Sequence, residues 1–144
     1  MSDALTLPSL LAANERFYRT FETLDFEALA ALWESSERVF CVHPGWEPLH
    51  GARAVLESWQ AIIGNTGEIR FNLSGEQAHI EGRTGTVTCF ETIQNEADKQ
   101  RSTSGAVSTN LFAFDESAGL WKLFHHHASH TLIPESEEDG VLLV

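Results

Sequence analysis

The chain has 144 residues, a mass of 16.0 kDa and a hydrophobic content of 42%, which suffices for one packed core but not for two. Its net charge of -12, with only 9 Lys and Arg residues, opposes binding to phosphate backbones and anionic lipids, so neither nucleic acid nor a membrane is an expected partner. No apolar stretch approaches the roughly 18 residues of a membrane span, and residues 1–4 lack the basic start of a secretory signal, so we expect a cytoplasmic protein.

Three helices are predicted in the first half of the chain. Apolar residues recur at helical spacing over residues 10–24, which indicates an amphipathic first helix. Asp25 can cap a second, shorter helix whose apolar face ends at Trp33. A third helix follows the break at Gly51 and stops at Gly64, where glycine and the asparagine after it form a C-terminal signal.

Strands dominate the rest of the chain. A β-rich run over residues 38–43 precedes the third helix. Five further runs follow that helix, at residues 68–73, 77–81, 84–95, 106–114 and 120–129. Their short links favour antiparallel pairing, and the polar residues 96–105 are predicted as a connection. This order predicts a single α+β domain over residues 1–133, with its helices packed on one face of a curved sheet, followed by an acidic tail at residues 134–144.

Three stretches carry a resemblance to a known family: DFEAL at residues 25–29, HPGW at residues 43–46 with Gly51 after it, and GLWKLFHHHAS at residues 119–129. With the order of helices and strands, they resemble the nuclear transport factor 2-like superfamily over nearly the whole chain. Similar patterns occur in its SnoaL-like branch, in the association domain of calcium/calmodulin-dependent protein kinase and in the related ketosteroid isomerases. The resemblance implies a cystatin-like cone, with three N-terminal helices on the concave face of a curved, mostly antiparallel sheet. It also implies a pocket between helices and sheet, and a homodimer formed through the outer sheet face.

The resemblance also implies which side chains face the pocket. Side chains alternate along a strand, so Phe124 and His126 share one face of the last strand, and matching to the isomerases and the kinase association domain turns that face inward. The opposite face then carries Trp121, Leu123, His125 and His127. Applied to the whole chain, the matching gives these expected ligand-binding residues: Phe17, Phe21, Trp46, Trp59, Cys89, Glu91, Ser108, Phe112, Phe124 and His126. Apolar walls with a few polar groups are typical of small-molecule sites, so we expect a small apolar or neutral ligand and no cofactor.

Two catalytic positions are implied by the ketosteroid isomerases. His43 lies where those enzymes have a general-base aspartate, and an imidazole with a pKa of about 6.5 can move a proton at neutral pH. Asn110 lies at the position of their second acid, from which an amide can donate a hydrogen bond to a developing oxyanion. Their first-helix tyrosine corresponds to Phe17, which has no hydroxyl, so steroid isomerisation itself is not expected. The function predicted is small-molecule binding with lyase, isomerase or cyclase-type chemistry by His43, and the alternative is a non-catalytic association module with a vestigial pocket.

Several histidines and one acid leave alternatives open. His125 and His127 share a face as a metal pair would, but the sequence supplies no third ligand nearby, so we predict no metal site and expect this face to meet a second subunit. For His126, a ligand contact and a hydrogen-bonded core position both remain open. Glu91 lies in an apolar strand and must pair, protonate or face water. The candidates for its partner are His126, His43 and Arg83.

Overall fold

The computed structural model describes residues 4–97 and 99–133. Its elements are α1 (Leu7–Glu22), α2 (Phe26–Ala30), β1 (Phe40–Val42), β2 (Leu49–His50), α3 (Ala52–Gly64), β3 (Glu68–Glu81), β4 (Thr84–Ala97), β5 (Gln100–Asp115) and β6 (Leu120–Thr131). The strands form one curved sheet in the order β2-β1-β6-β5-β4-β3, in which β1 pairs parallel with β6 and the other pairs are antiparallel. The predicted α+β class is thereby confirmed. The acidic tail falls outside the described residues, and none of the described helices is long and apolar enough to cross a membrane.

Capping side chains decide where the first two helices begin. α1 starts at Leu7, before the predicted start, because Thr6 and Ser9 form a capping box in which each backbone N–H donates to the other side chain at 3.2 Å. Asp25 caps α2 as predicted, with its Oδ1 accepting from the N–H of Ala28 at 3.2 Å. Local side-chain chemistry, rather than apolar periodicity, therefore sets these two boundaries.

The core lies between the helices and the concave face of the sheet. α2 is shorter than predicted, and Trp33 instead bridges to Leu123 of β6 through its backbone. The Trp33 ring packs against Phe17 of α1 and Trp59 of α3, with ring centroids 6.3 Å apart in both pairs. These aromatic contacts join all three helical segments over the sheet, so the residues of α1 and α3 that face it are held in fixed positions.

Two predicted breaks between strands are continuous structure. Ser74 and Gly75, predicted as a link, lie within β3 at a bulge, where the pairing with β4 shifts between Ser74 and Gln77. Residues 96–97 and 100–105, which belong to the predicted connection 96–105, continue β4 and β5 in a ladder that runs to the pair of Ala97 and Gln100. The prediction was wrong here because polar and charged residues occupy both faces of this hairpin, which leaves no apolar alternation to detect.

A second bulge changes the faces of β6. Leu111 of β5 pairs with His125, but the next residue of β5 pairs with Leu123, so Phe124 is an extra residue in β6. Leu123 and His126 are therefore both buried on the inner side, whereas the strict alternation predicted above separates them. Phe124 lies on the outer side, where the guanidinium carbon of Arg38 sits 3.9 Å from its ring centroid. The predictions that Phe124 faces inward and that Leu123 faces outward were wrong for this reason, and Trp121, predicted outward with Leu123, is buried as well.

Candidate functional site

A cavity of about 230 Å³ lies between α1, α3, the turn after β1 and the inner face of the sheet. Its lining consists of Phe17, Tyr18, Phe21, His43, Pro44, Trp46, Trp59, Ile62, Ile69, Phe71, Glu91, Ile93, Asn95, Ser104, His126 and His130. The expected residues in this lining are Phe17, Phe21, His43, Trp46, Trp59, Glu91 and His126. Another groove, at the end of the β4–β5 hairpin, is lined entirely by polar and charged residues such as Arg70 and Arg101. Because apolar walls supply most of the affinity for an organic ligand, the aromatic cavity is the candidate site.

His43 is held in one tautomer by α3. Its Nε2 lies 2.8 Å from the Oγ of Ser58, and that hydroxyl donates its only hydrogen to the carbonyl of Val55 at 2.6 Å. Ser58 can therefore only accept, so Nε2 of His43 carries the proton and Nδ1 keeps a lone pair. The Cys41 sulfur lies 3.7 and 3.9 Å from the two ring nitrogens, nearly equidistant, and burial raises the pKa of its thiol. Burial also lowers the pKa of His43 to about 4, so the ring is a neutral base at neutral pH.

His126 is held in the opposite tautomer by Asn110. The Nδ1 of His126 lies 2.6 Å from the Oδ1 of Asn110. The Nδ2 of Asn110 donates to the Oδ1 of Asn14 at 2.8 Å and to the hydroxyl of Tyr18 at 3.1 Å, so its Oδ1 is the accepting end. Nδ1 of His126 therefore carries the proton, and Nε2 keeps a lone pair with no partner among residues 4–97 and 99–133. Burial, and then the nearby imidazole of His43, lowers the pKa of His126 to about 3.

Glu91 is paired with Tyr18, which is none of the three partners that the sequence left open. The Tyr18 hydroxyl donates to Oε2 of Glu91 and lies 2.9 Å from the Oγ of Ser108. Burial raises the pKa of Glu91, and the hydrogen bonds from Tyr18 and Ser108 oppose that rise. Burial and the adjacent carboxyl raise the pKa of Tyr18 well above its usual range. The Tyr18 hydroxyl therefore keeps its proton at neutral pH, in the wall of the cavity.

Tyr18 is the main functional candidate that the sequence did not identify. The matching to the isomerases placed their tyrosine at Phe17, and Tyr18 lies about 100° further round the helix. Both side chains are nevertheless buried, and both line the cavity. A signal was present, since Tyr18 belongs to the apolar stripe of α1 and Asn14, one turn earlier on the same face, is a polar residue within it. A tyrosine and an asparagine spaced in this way on a buried face indicate an internal polar network.

Other expected site residues lie outside the lining. Asn110 was expected to donate a hydrogen bond to a ligand, but both of its amide hydrogens are donated to Asn14 and Tyr18. Cys89 lies beneath the hydroxyl of Tyr18, with its sulfur 3.8 Å from that oxygen and 3.3 Å from the Oγ of Ser108. The remaining expected residues outside the lining are Ser108, Phe112 and Phe124. Of these, Phe112 is buried on the inner face of β5 and Phe124 lies outside the sheet, as described above.

The mouth of the cavity is formed by Trp46, which was expected to line it, and by His130, which the sequence placed elsewhere. His130, expected beyond the last strand, lies within β6 and lines the cavity. Its ring atoms lie 3.8 Å from the position that a Cβ on Gly45 would take, so the turn after β1 and the end of β6 meet there. Trp46 in this turn is 46% exposed and lines the same cavity, which places it at the rim. The extension of β6 beyond its predicted end brings His130 to this position.

The outward histidines have a separate environment. His125 stacks on Phe40 of β1, with ring centroids 4.8 Å apart and an interplanar angle of 27°. His50 of β2 contacts the same ring edge-on at 5.0 Å, and His127 is exposed. Within residues 4–97 and 99–133, no three His, Cys, Asp or Glu side chains converge as metal ligands. His125 and His127 are not part of the lining of the cavity.

The sequence and the fold were compared with known proteins. A family model described as a SnoaL-like domain matches residues 10–134. An NTF2-like family protein from Streptomyces avermitilis, provisionally named a dehydratase, is 35% identical, with a TM-score of 0.81 over 88% of this chain and 96% of that one. A calcium/calmodulin-dependent protein kinase type II association domain from Thiobacillus denitrificans, also provisionally named, is 26% identical, with a TM-score of 0.72 over 84% of this chain and 94% of that one.

One curated relative is much longer than this chain. F-box protein SKIP8 of Arabidopsis thaliana is 28% identical over 132 residues, which are 92% of this chain and 54% of that protein. The chain thus spans about half the length of the curated relative it matches. The family model covers most of the chain. The chain therefore belongs to the SnoaL-like domain family.

Proposed function

We propose that the chain binds a small organic molecule in this cavity and that His43 acts on it as a general base, in a reaction of the lyase, isomerase or cyclase type. The observation that carries the proposal is the contact of Nε2 of His43 with Ser58, which assigns the accepting lone pair to Nδ1 in an aromatic cavity. The similarity to a Streptomyces avermitilis protein that is provisionally named a dehydratase supports the same class of chemistry.

The groups needed for a proton transfer lie in one lining. In a dehydration, Nδ1 of His43 takes the proton from a carbon next to a carbonyl, and the electrons of that C–H bond form a C=C bond to the neighbouring carbon. The C–O bond of the neighbouring carbon breaks, and the leaving hydroxyl takes a proton from an acid and departs as water. Glu91, with its raised pKa and its hydrogen bond to Tyr18, is the acid in the same cavity. A neutral base with a low pKa is a weak base, so a negative charge developing on the substrate beside His43 would be needed to stabilise the imidazolium.

The volume of the cavity limits the substrate. An apolar cavity of about 150 Å³ accommodates benzene, and the cavity here measures about 230 Å³. A molecule of one or two rings matches this space, whereas a four-ring steroid does not. The volume therefore agrees with the sequence in disfavouring steroid isomerisation.

The elimination of 5-nitrobenzisoxazole tests the general base directly. A base removes the single C–H proton of the five-membered ring, the N–O bond breaks, and the nitrophenolate product absorbs visible light. The wild type should accelerate this reaction over free imidazole, and His43→Ala should lower the rate by about a hundredfold. The rate should stay flat from pH 8 to pH 5, because the pKa of His43 is about 4. His127→Ala, on the exposed outer face, is the matched control, and equal rates for His43→Ala and the wild type would refute the role of His43.

A second candidate is an association module that forms a homodimer through the outer sheet face. The similarity to a kinase association domain favours it, as does Val107, which is 49% exposed on the outer face of β5. Val107→Lys should then convert a dimer to a monomer in sedimentation velocity, while His43→Ala should leave the dimer intact. A dimer alone supports neither candidate over the other, because a binding protein can also dimerise. Loss of the dimer in Val107→Lys, with no small molecule bound by the wild type, would favour the association module.

A further inference from the structure

We propose that the ligand of this cavity is a neutral one-ring or two-ring compound carrying two hydrogen-bond donors, such as a pair of ring hydroxyls, which are accepted by Nδ1 of His43 and Nε2 of His126. The inference rests on the proposed binding function and names the class of molecule that the same cavity selects. It is carried by the hydrogen-bond networks behind the two imidazoles and by the charges of the lining.

The accepting nitrogen of His126 is fixed by a chain of amide orientations. The carboxylate of Glu76 can only accept, so Asn14 turns its Nδ2 towards that group, at 3.4 Å, and its Oδ1 towards Asn110. Asn110 must then donate from Nδ2 and accept at Oδ1, where Nδ1–H of His126 donates at 2.6 Å. The Tyr18 hydroxyl requires the same orientation, because its own hydrogen goes to the buried carboxyl and it accepts from Asn110 at 3.1 Å. Two independent contacts thus assign the lone pair of His126 to Nε2.

The accepting nitrogen of His43 is fixed from a different element. Ser58 in α3 uses its hydrogen on the carbonyl of Val55, so it can only accept from Nε2–H of His43. The two imidazoles therefore present different ring nitrogens as acceptors. Both rings pack against Trp59, with centroid distances of 4.6 Å for His43 and 6.0 Å for His126, so one ligand lying along the indole can reach both. Among the described residues no N–H or O–H group donates to either acceptor, and the weakly donating thiol of Cys41, 3.9 Å from Nδ1 of His43, is the one donor near them.

The charges of the lining exclude an anionic ligand. Among the described residues, the lining contains no Lys and no Arg, and its only acid is Glu91. A carboxylate or phosphate would therefore lose its hydration without gaining a cation. The net charge of -12 for the chain adds a repulsion in the same direction.

A cationic ligand is also disfavoured. Burial holds both imidazoles neutral, and an ammonium group in the same place would lose its hydration in the same way. The one carboxyl that could compensate is already engaged by Tyr18 and Ser108. A neutral hydroxyl supplies the required donor without this cost.

A series of ring compounds on the wild-type protein tests the inference at pH 7. The probes are resorcinol with two hydroxyls, phenol with one, benzene with none, benzoate as the anion and benzylamine as the cation, each titrated and followed by protein amide chemical shifts. Each hydroxyl should strengthen binding by about fivefold, the value of one neutral hydrogen bond. Resorcinol should therefore bind most tightly, and benzoate and benzylamine should bind more weakly than phenol.

Two variants separate the role of the acceptor from cavity shape. His126→Leu should weaken resorcinol by about fivefold and leave benzene within twofold, whereas His127→Leu, a neighbour on the outer face, should change neither. If benzene or benzoate binds the wild type as tightly as resorcinol, the inference about the ligand class is overturned while the binding function stands. If none of the five compounds binds, the proposed binding function is refuted and the inference falls with it.

Discussion

Lowering the pH from 7 to 5 should destabilise the protein by about 2 kcal/mol for each of His43 and His126. In the unfolded chain a histidine has a pKa of about 6.5, whereas the folded values are about 4 for His43 and about 3 for His126. The unfolded state therefore binds more protons below pH 6.5, and stability falls as the pH drops towards the folded pKa. The loss is about 1.4 kcal/mol for each pH unit below 6.5, which gives about 2 kcal/mol per histidine at pH 5.

Urea unfolding followed by tryptophan fluorescence measures this loss at the two pH values. Glu91 acts in the opposite direction, because a raised folded pKa makes its contribution to stability larger as the pH falls. The informative quantity is therefore the difference between variants. His126→Leu should lose about 2 kcal/mol less than the wild type between pH 7 and pH 5, and His127→Leu is the control on the same strand. Equal losses for the wild type and His126→Leu would refute the argument that a buried, neutral His126 drives the pH dependence.

Three further measurements test separate parts of the structure. Long-range proton–nitrogen spectra of the histidine side chains should show His43 protonated at Nε2 and His126 at Nδ1, and the same tautomer for both would contradict the assigned networks. Tyr18→Phe should cost about 1 to 3 kcal/mol in urea unfolding at pH 7, because a buried carboxyl loses its donor; an unchanged midpoint would argue against that hydrogen bond. Phe112→Ala should cost about 3 to 5 kcal/mol and Phe124→Ala clearly less, since only the former is buried inside the sheet; equal costs would contradict the bulge in β6.

Inward positions on β4 and β5 could be predicted because these strands alternate without interruption over their central part. Glu91 and Ser108 were expected inside and are 2% and 1% exposed. The period of two fixes the face of every residue once one inward position is known. The cap of α2 at Asp25 could also be predicted from the sequence, because the hydrogen bond joins residues three positions apart. Predictions of this kind succeed when the determining contact is local in the sequence.

The contacts that define the site are long-range, which is why the sequence left them open. The partner of Glu91 is Tyr18, 73 positions away, and no pattern near either residue indicates the pair. The role of Asn110 likewise depends on Asn14, 96 positions away. Matching to the isomerases gave Asn110 a direct part in chemistry, whereas its hydrogen bonds make it the residue that orients His126. Residue identity at a matched position therefore predicted that the position matters, but not what it does.

The bulge at Phe124 determines which histidine of the HHH run enters the cavity. A regular strand that buried Leu123 would also turn His125 inward, because the two are separated by two positions. The pairing of β5 with β6 inserts one extra residue between them, so Leu123 and His126 are both inside and His125 stacks on Phe40 outside. Two contacts of β6 require this: Leu123 bridges to Trp33, beyond the end of α2, and His126 meets Asn110 on β5. A single unpaired residue satisfies both, and the acceptor in the cavity wall follows from that local irregularity rather than from the density of histidine.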